Sequence, residues 1–474
     1  MSRLPQAIKQ TLLYGSSIAL MKGISLLMLP FIAHHLSTEA FGRLEVISTI
    51  AVIGSVLVGM GLDHTLFRFA GASREPAQRK KLAAEIFSLA LFIGIVAWII
   101  GWQAAETIAR SLPGNTSPYE LRLVMSVLAL EGCIAIPLGW LRLQNRATRF
   151  FIATTGRALT QAVLVVILLL LDRGVEGVLE AGLVAAVIQA MALGYLHVRE
   201  NGYRFSRNTG IQALVYSLPL VGSGLVAFAL NGLDRWILVE HASLGDVAQF
   251  GVAAKFSLAV VLLLQPFGMW WSPRRFEVLN SPGGQQQVAK FVALGITLAL
   301  IIAVLVGLSA PFLIDYLMPP AYAMSSQYVV ALVLVMLFKE MAELVNLGCF
   351  AGRTTGMQFA INTTGAAVGI TGMFWLAPVY GVWGVIFALL LAQAIRLMLF
   401  FIISQQLLPL PYPTRSLLLL TGTGIGWLVL GTQTTTSVQQ VLAVMTGTLS
   451  LLIIALLLKL VPVPAIMASK LANR

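Results

Sequence analysis

Apolar runs of about 20 residues recur along the whole chain, separated by short polar stretches rich in Pro, Gly, Arg and Lys. A helix rises about 1.5 Å per residue, so runs of this length match the hydrocarbon core of a bilayer. The pattern predicts about fourteen membrane-spanning helices. They begin at 12–33, 44–67, 86–107, 121–143, 151–171 and 178–198, and continue through 212–239, 247–272, 289–317 and 327–350. The last four are predicted at 357–377, 381–403, 415–431 and 439–460. The ten-residue alternating strands of a membrane barrel are not seen. No connecting stretch exceeds about 18 residues, which is too short to fold as a module of its own. Whatever the protein does is therefore predicted to happen among its helices.

Composition agrees with this reading. The 474 residues are 58% hydrophobic and 11% charged, against about 25% charge in a soluble domain. An ordinary soluble enzyme and a disordered chain are both excluded. A net charge of +12 would suggest nucleic acid in a soluble protein, but here most basic residues sit in the short loops. One side of the predicted topology collects about nineteen of them, among them Arg3, Lys9, Arg74, Arg79, Lys80, Lys81, Arg142, Arg146, Arg149, Arg274, Arg275, Arg353, Lys470 and Arg474. The other side has only Arg43, Arg110, Arg122 and Arg173. The positive side is the cytoplasmic one, so both termini are expected in the cytoplasm and no nucleic-acid partner is expected. The N-terminus leads into a full-length span without a small-residue cleavage site, and reads as a retained first helix. Cys133 and Cys349 each lie in an apolar run, so no disulfide framework, metal site or cofactor is predicted.

The chain also resembles itself. At a shift of 209 residues, Phe41-Gly42 falls on Phe250-Gly251, Tyr119 on Tyr328, Glu131 on Glu340, Leu138-Gly139 on Leu347-Gly348 and Thr154-Thr155-Gly156 on Thr363-Thr364-Gly365. At a shift of 207, Gly174 to Val178 falls on Gly381 to Val385. A nearly constant shift over such a length predicts a duplicated six-helix bundle. Residues 1–208 would form the first lobe, 209–410 the second, and 411–474 two additional helices. Six is even, so both copies enter the membrane in the same sense, related by a pseudo-two-fold along the membrane normal. Rocking of two such bundles opens a cavity to alternate sides, which predicts a transporter.

The segment NGLDRWILVEHASLGDVAQFGVAAKF, Asn231 to Phe256, resembles the seventh-to-eighth helix junction of Wzx-type polysaccharide flippases. These belong to the multidrug/oligosaccharidyl-lipid/polysaccharide exporter superfamily. The first hairpin is similar too, in LSTEAFG from Leu36, GMGLD from Gly59, and Arg68-Phe69. The resemblance covers about the first 400 residues. It implies two six-helix lobes, a central cavity, and outward movement of an undecaprenyl-pyrophosphate-linked glycan across a bacterial inner membrane. Many members are driven by a counter-ion, so the resemblance leaves H+, Na+ or no coupling open, and it offers polysaccharide polymerase or assembly proteins as partners besides the membrane lipids. The glycan, whether O-antigen of lipopolysaccharide, capsule or exopolysaccharide, is left open. The two additional helices resemble those of lipid II flippases and longer Wzx-type members.

Ionisable residues inside spans cost several kcal/mol unless they meet partners or water, so each is a functional candidate. Lys22 falls near the midplane of the first helix, as a cavity-facing cation or half of a structural ion pair. Arg157, Arg235, Lys255, Lys339 and Arg396 complete the cationic set expected to offset a pyrophosphate. Arg157 and Arg396 lie near enough to the cytoplasmic ends to snorkel instead. Glu131, Asp234, Glu340 and Glu343 are the candidates for ion coupling. Lys339 and Glu343 stand four apart on one helical face and could equally neutralise each other. Asp234 and Arg235 are adjacent and point about 100° apart, so they are not expected to neutralise only one another. Gln161, Gln189, Asn346, Asn362, Gln393 and Trp270-Trp271 could form polar and aromatic walls for sugars, the tryptophans equally an interfacial belt. The leucine runs of the last two helices could hold a polyprenyl tail or simply face lipid. A cation-coupled drug exporter would want an acid-dominated cavity, and a lipid II flippase would differ only in its sugar. A glycosyltransferase, polymerase or ligase would need an Asp-x-Asp motif or a long loop, and neither occurs.

Overall fold

Within hydrocarbon every backbone N–H and C=O must be paired by the chain itself, and a helix does so with local bonds alone. The computed structural model describes residues 6–73, 75–112, 115–272, 274–350, 356–433 and 436–461, and every regular element in them is helical. Arg3, Arg74, Arg353, Lys470 and Arg474, placed by their charge on the cytoplasmic side, lie outside the described residues. Among the described residues, thirteen helices are long and apolar enough to cross a membrane. The predicted span at 327–350 is not among them. It is a 21-residue helix, Ser325–Val345, whose last two turns carry Lys339, Glu340 and Glu343.

The chain divides into two compact units, Met1–Ala248 and Gln249–Arg474. The first contains α1 (Gln6–His35), α2 (Thr38–Gly59), α3 (Leu62–Ala72), α4 (Pro76–Ser111), α5 (Pro118–Ala129), α6 (Glu131–Leu143), α7 (Ala147–Leu170), α8 (Gly174–Asn201), α9 (Arg207–Asn231) and α10 (Leu233–His241). The start of α11 (Leu244–Ser257) also belongs to it. Several predicted spans prove to be broken, among them 212–239 at Gly232 and 247–272 at Leu258. The 44–67 run is interrupted where Met60 and Gly61 both take left-handed dihedrals, with φ of 48° and 63°. The 121–143 run pauses at Leu130 between α5 and α6.

In this unit α1 packs on α7, α7 on α8, and α4 on α5, α6 and α8. The contact division falls after Ala248, later than the repeat boundary at 208, because α9 is fastened to α3 and α4. A buried hydroxyl pair joins Thr65 and Ser217 at 2.8 Å, and Thr209 donates to Glu85 at 2.7 Å. Gly42 lets α2 approach the start of α11: a Cβ there would stand 1.9 Å from the Leu244 carbonyl oxygen.

The second unit takes up the rest of α11. It continues with α12 (Ala259–Trp271), α13 (Arg275–Leu279), α14 (Gly284–Leu317), α15 (Ser325–Val345), α16 (Leu347–Phe350), α17 (Gly356–Tyr380), α18 (Val382–Leu407), α19 (Thr414–Gly431) and α20 (Ser437–Leu457). Here α14 is the central post, packed by α12, α15, α19 and α20. Small residues let α17 and α18 close up: Gly369 and Gly372 face Ala392 and Ala388. α15 stops at Asn346, and the Gly348 amide beyond it donates to the Ser404 hydroxyl at 2.7 Å. α19 and α20 expose Leu418 and Leu457 on their outer surfaces, as helices facing hydrocarbon do.

Candidate functional site

A cavity of about 470 Å³ opens inside the first unit, between α1, α6, α7 and α8. Its polar side is assembled by helical spacing. Lys22 and Ser25 are three apart on α1, Arg157 and Gln161 four apart on α7, so each pair shares a face. Gln189 of α8 closes the group. Met28, Ile32, Ile134, Val165 and Val178 form an apolar wall. The joint between α1 and α7 beneath it is a buried hydrogen bond between the Ser17 and Thr154 hydroxyls.

The Arg157 guanidinium donates to Gln189 Oε1 at 3.2 Å, and Gln189 Nε2 donates to the Ala153 carbonyl at 3.0 Å. The amide is thereby oriented with its oxygen on the arginine. Glu131, on α6, acts electrostatically on Arg157. Lys22 makes no ion pair with any described residue. So the structure brings together Lys22, Arg157, Gln161 and Gln189, with Glu131 behind the arginine. The chemistry is that of an anion site: two cations and amide groups on one side, hydrocarbon on the other.

The second unit carries a denser network. Arg396, 5% exposed on α18, donates through Nε to Asn362 Oδ1 at 2.7 Å and through Nη1 to Gln393 Oε1 at 3.1 Å. Its remaining Nη pairs with Glu343 Oε1. Asn346 Nδ2 donates to the other oxygen of Glu343 at 2.9 Å, and Arg275 Nη1 donates to Asn346 Oδ1 at 3.3 Å. Burial draws the Arg275 guanidinium below its usual pKa, and the Glu343 carboxylate opposes that. Lys339, Glu340 and Lys255 are half-buried.

When the chain is matched to itself, these positions fall opposite one another: at the shift of 207 residues Gln189 falls on Arg396, and at 209 Ala153 falls on Asn362. In each unit the two matched residues are hydrogen-bonded, Gln189 to the Ala153 carbonyl and Arg396 to Asn362. The arginine stands on α7 in the first unit, where Glu131 acts on it electrostatically, and on α18 in the second, where it pairs with Glu343 of α15.

Asp234 and Arg235 form a third cluster. Arg235 Nη1 reaches both Asp234 oxygens at 2.9 Å, and its Nε lies 3.8 Å from Glu45. Asp234 and Glu45 are each 4% exposed. The 100° separation of adjacent helical residues does not keep this pair apart, because the long arginine side chain folds back onto Asp234, and Glu45 is the third member. Glu45 and Arg275 are the participants that sequence reasoning missed. Glu45 lies between the first two predicted spans' polar turn and an apolar run, and Arg275 was counted among loop charges.

Two bundles of helices long enough to cross a membrane, one of them hollowed by a cation-lined cavity, define a polytopic membrane protein. The sequence profile of the family described as polysaccharide biosynthesis protein matches residues 7–279, and the chain belongs to that family. No curated protein matches. Among solved structures, the fold is similar to that of the lipid II flippase MurJ in an inward closed conformation. The TM-score is 0.74 at 14% identity, over 93% of this chain and 98% of that one. It is also similar to an inward-facing multidrug resistance MATE family transporter of the MOP superfamily, with TM-score 0.61 and 16% identity over 84% and 94% of the two chains. A third is a MOP superfamily transporter from Pyrococcus furiosus, whose binding pocket is described as having reverse polarity. There the TM-score is 0.51 at 18% identity over 84% of this chain and 95% of that one. The fold is the one that these transporters share.

Proposed function

We propose that the protein moves a polyprenyl-pyrophosphate-linked oligosaccharide from the cytoplasmic to the outer leaflet of a bacterial inner membrane, with both termini in the cytoplasm. The observation that carries this reading is the first unit's cavity. Lys22 and Arg157 supply positive charge and donors for a pyrophosphate, Gln161 and Gln189 supply amides for a sugar, and the wall of Met28, Ile32 and Val165 suits the first prenyl units. A volume of about 470 Å³ admits the pyrophosphate junction rather than a whole oligosaccharide, which leaves a long glycan outside the pocket. Alternating exposure of this site to the two sides of the membrane would turn the head group over. Glu131, set against Arg157, is the acid assigned to ion coupling, ahead of Asp234, Glu340 and Glu343.

Family membership supports the substrate class, and the cationic lining argues against a cationic drug. Deleting the gene and analysing lipid-linked intermediates tests the reading. Accumulation of a polyprenyl-linked glycan on the inner leaflet is expected. Unchanged lipid-linked pools together with new sensitivity to cationic dyes would replace it with a drug exporter.

A further inference from the structure

Glu343 is an acidic side chain 44% exposed, set among buried neighbours in α15. Its carboxylate holds Arg396 directly and Arg275 through the Asn346 amide. Two guanidinium groups thus converge on one carboxylate, which leaves a surplus positive charge. Arg275 Nε is buried and has no hydrogen-bond partner, an unused donor beside a group that already carries two lone-pair acceptors. The Arg275 guanidinium is also braced over the Phe350 ring, 4.6 Å from its centroid, so it is held in place without needing the acid. Arg396 is fixed by Asn362 and Gln393 in the same way. Both arginines would keep their positions if the carboxylate swung away.

We propose that this is a second anion site, in the second unit, where the Glu343 carboxylate occupies the place of a phosphate. A phosphate or pyrophosphate group displaces Glu343 and takes its bonds to Arg396 and Asn346, adding the unused Arg275 donor. Phosphate oxygens match the guanidinium fork as a carboxylate does, with more acceptors and more charge. The inference rests on the proposed substrate class for its physiological ligand, but not on the first unit's cavity.

The test uses the full chain in nanodiscs of phosphatidylcholine, titrated calorimetrically with farnesyl pyrophosphate and separately with inorganic pyrophosphate. The Lys22→Ala/Arg157→Ala variant removes the first cavity's cations, and in folded protein of that variant the binding that Arg275→Gln removes belongs to the second unit. Glu343→Gln in that background is expected to tighten the residual binding about tenfold, the factor given by about 1.4 kcal/mol of relieved like-charge opposition. Arg275→Gln, which leaves the Arg396–Glu343 pair intact, is expected to abolish it. Tightening for both probes would assign the site to phosphate from any source, and tightening for farnesyl pyrophosphate alone to a lipid head group. Residual binding that is absent, or unmoved by Arg275→Gln in folded protein, would make Glu343 a structural counter-ion and overturn the proposal. Unaltered total binding in the Lys22/Arg157 variant would instead refute the first cavity's role and leave this test standing.

Discussion

Replacing Lys22 by Ala should separate a ligand-binding cation from a structural one. Lys22 lines the cavity and makes no ion pair with a described residue, so truncation strands no acid. Its loss removes one charge-assisted hydrogen bond to the head group, about 1.5–3 kcal/mol. That corresponds to an affinity or transport efficiency lower by about ten- to 150-fold. Thermal stability in detergent should stay within about 0.5 kcal/mol of the parent. Arg157→Ala makes the contrast, because it deprives Gln189 of its donor and leaves Glu131 facing a lost charge. That variant should lose transport and melt earlier, destabilised by about 1–3 kcal/mol, the cost of leaving the Gln189 amide oxygen without its donor. The assay is protection of a fluorescent polyprenyl-pyrophosphate disaccharide from a membrane-impermeant quencher in proteoliposomes, with melting followed in parallel. Lys22→Arg should retain most activity. Full transport by Lys22→Ala, or equal loss of stability in both variants, would refute the reasoning.

Arg235→Met should destabilise strongly, by about 3–5 kcal/mol, because Asp234 and Glu45 would stay buried without their counter-charge; a detergent melting curve unchanged from the parent would contradict that assignment. Gly42→Ala should cost about 1–3 kcal/mol, since its Cβ would meet backbone 1.9 Å away, whereas Gly422→Ala, with nothing within 4 Å, should be tolerated. Tyr412, in the turn between α18 and α19, buries a hydroxyl that has no partner, and burial raises its pKa above the ordinary 10.0. The folded state therefore keeps this proton while the unfolded state loses it, so stability should fall as pH rises past about 10. Tyr412→Phe should abolish that part of the alkaline loss and leave stability at neutral pH equal or slightly higher, as read by melting at a series of pH values.

Much of the fold was legible because a lipid solvent imposes length and apolarity on each helix, and the runs record both. The breaks were not. Met60 and Gly61 sit in an apolar run that shows no interruption, and only the dihedrals reveal the joint. The charges of the first cavity stood out for the opposite reason: Lys22 and Arg157 are conspicuous in apolar surroundings, and helical spacing pairs Arg157 with Gln161. What the sequence could not supply was pairing at a distance. Arg275 meets Asn346 71 residues on, and Arg235 reaches back to Glu45. No periodicity records such encounters, and a loop arginine looks the same whether it faces water or closes a network.

The joint at Met60 and Gly61 has a mechanical consequence. A left-handed non-glycine residue costs roughly 1 kcal/mol, and here it stands where two helical segments would otherwise fuse into one rod of 34 residues, Thr38–Gly71. A continuous rod transmits any tilt at one end as an opposite swing at the other. An articulated one does not, and the Thr65 hydroxyl, besides its local bond to the Gly61 carbonyl, ties the shorter piece to Ser217 on α9. The longer piece can therefore lean while the shorter one stays with its neighbour, much as a door leaf turns on a post that remains upright.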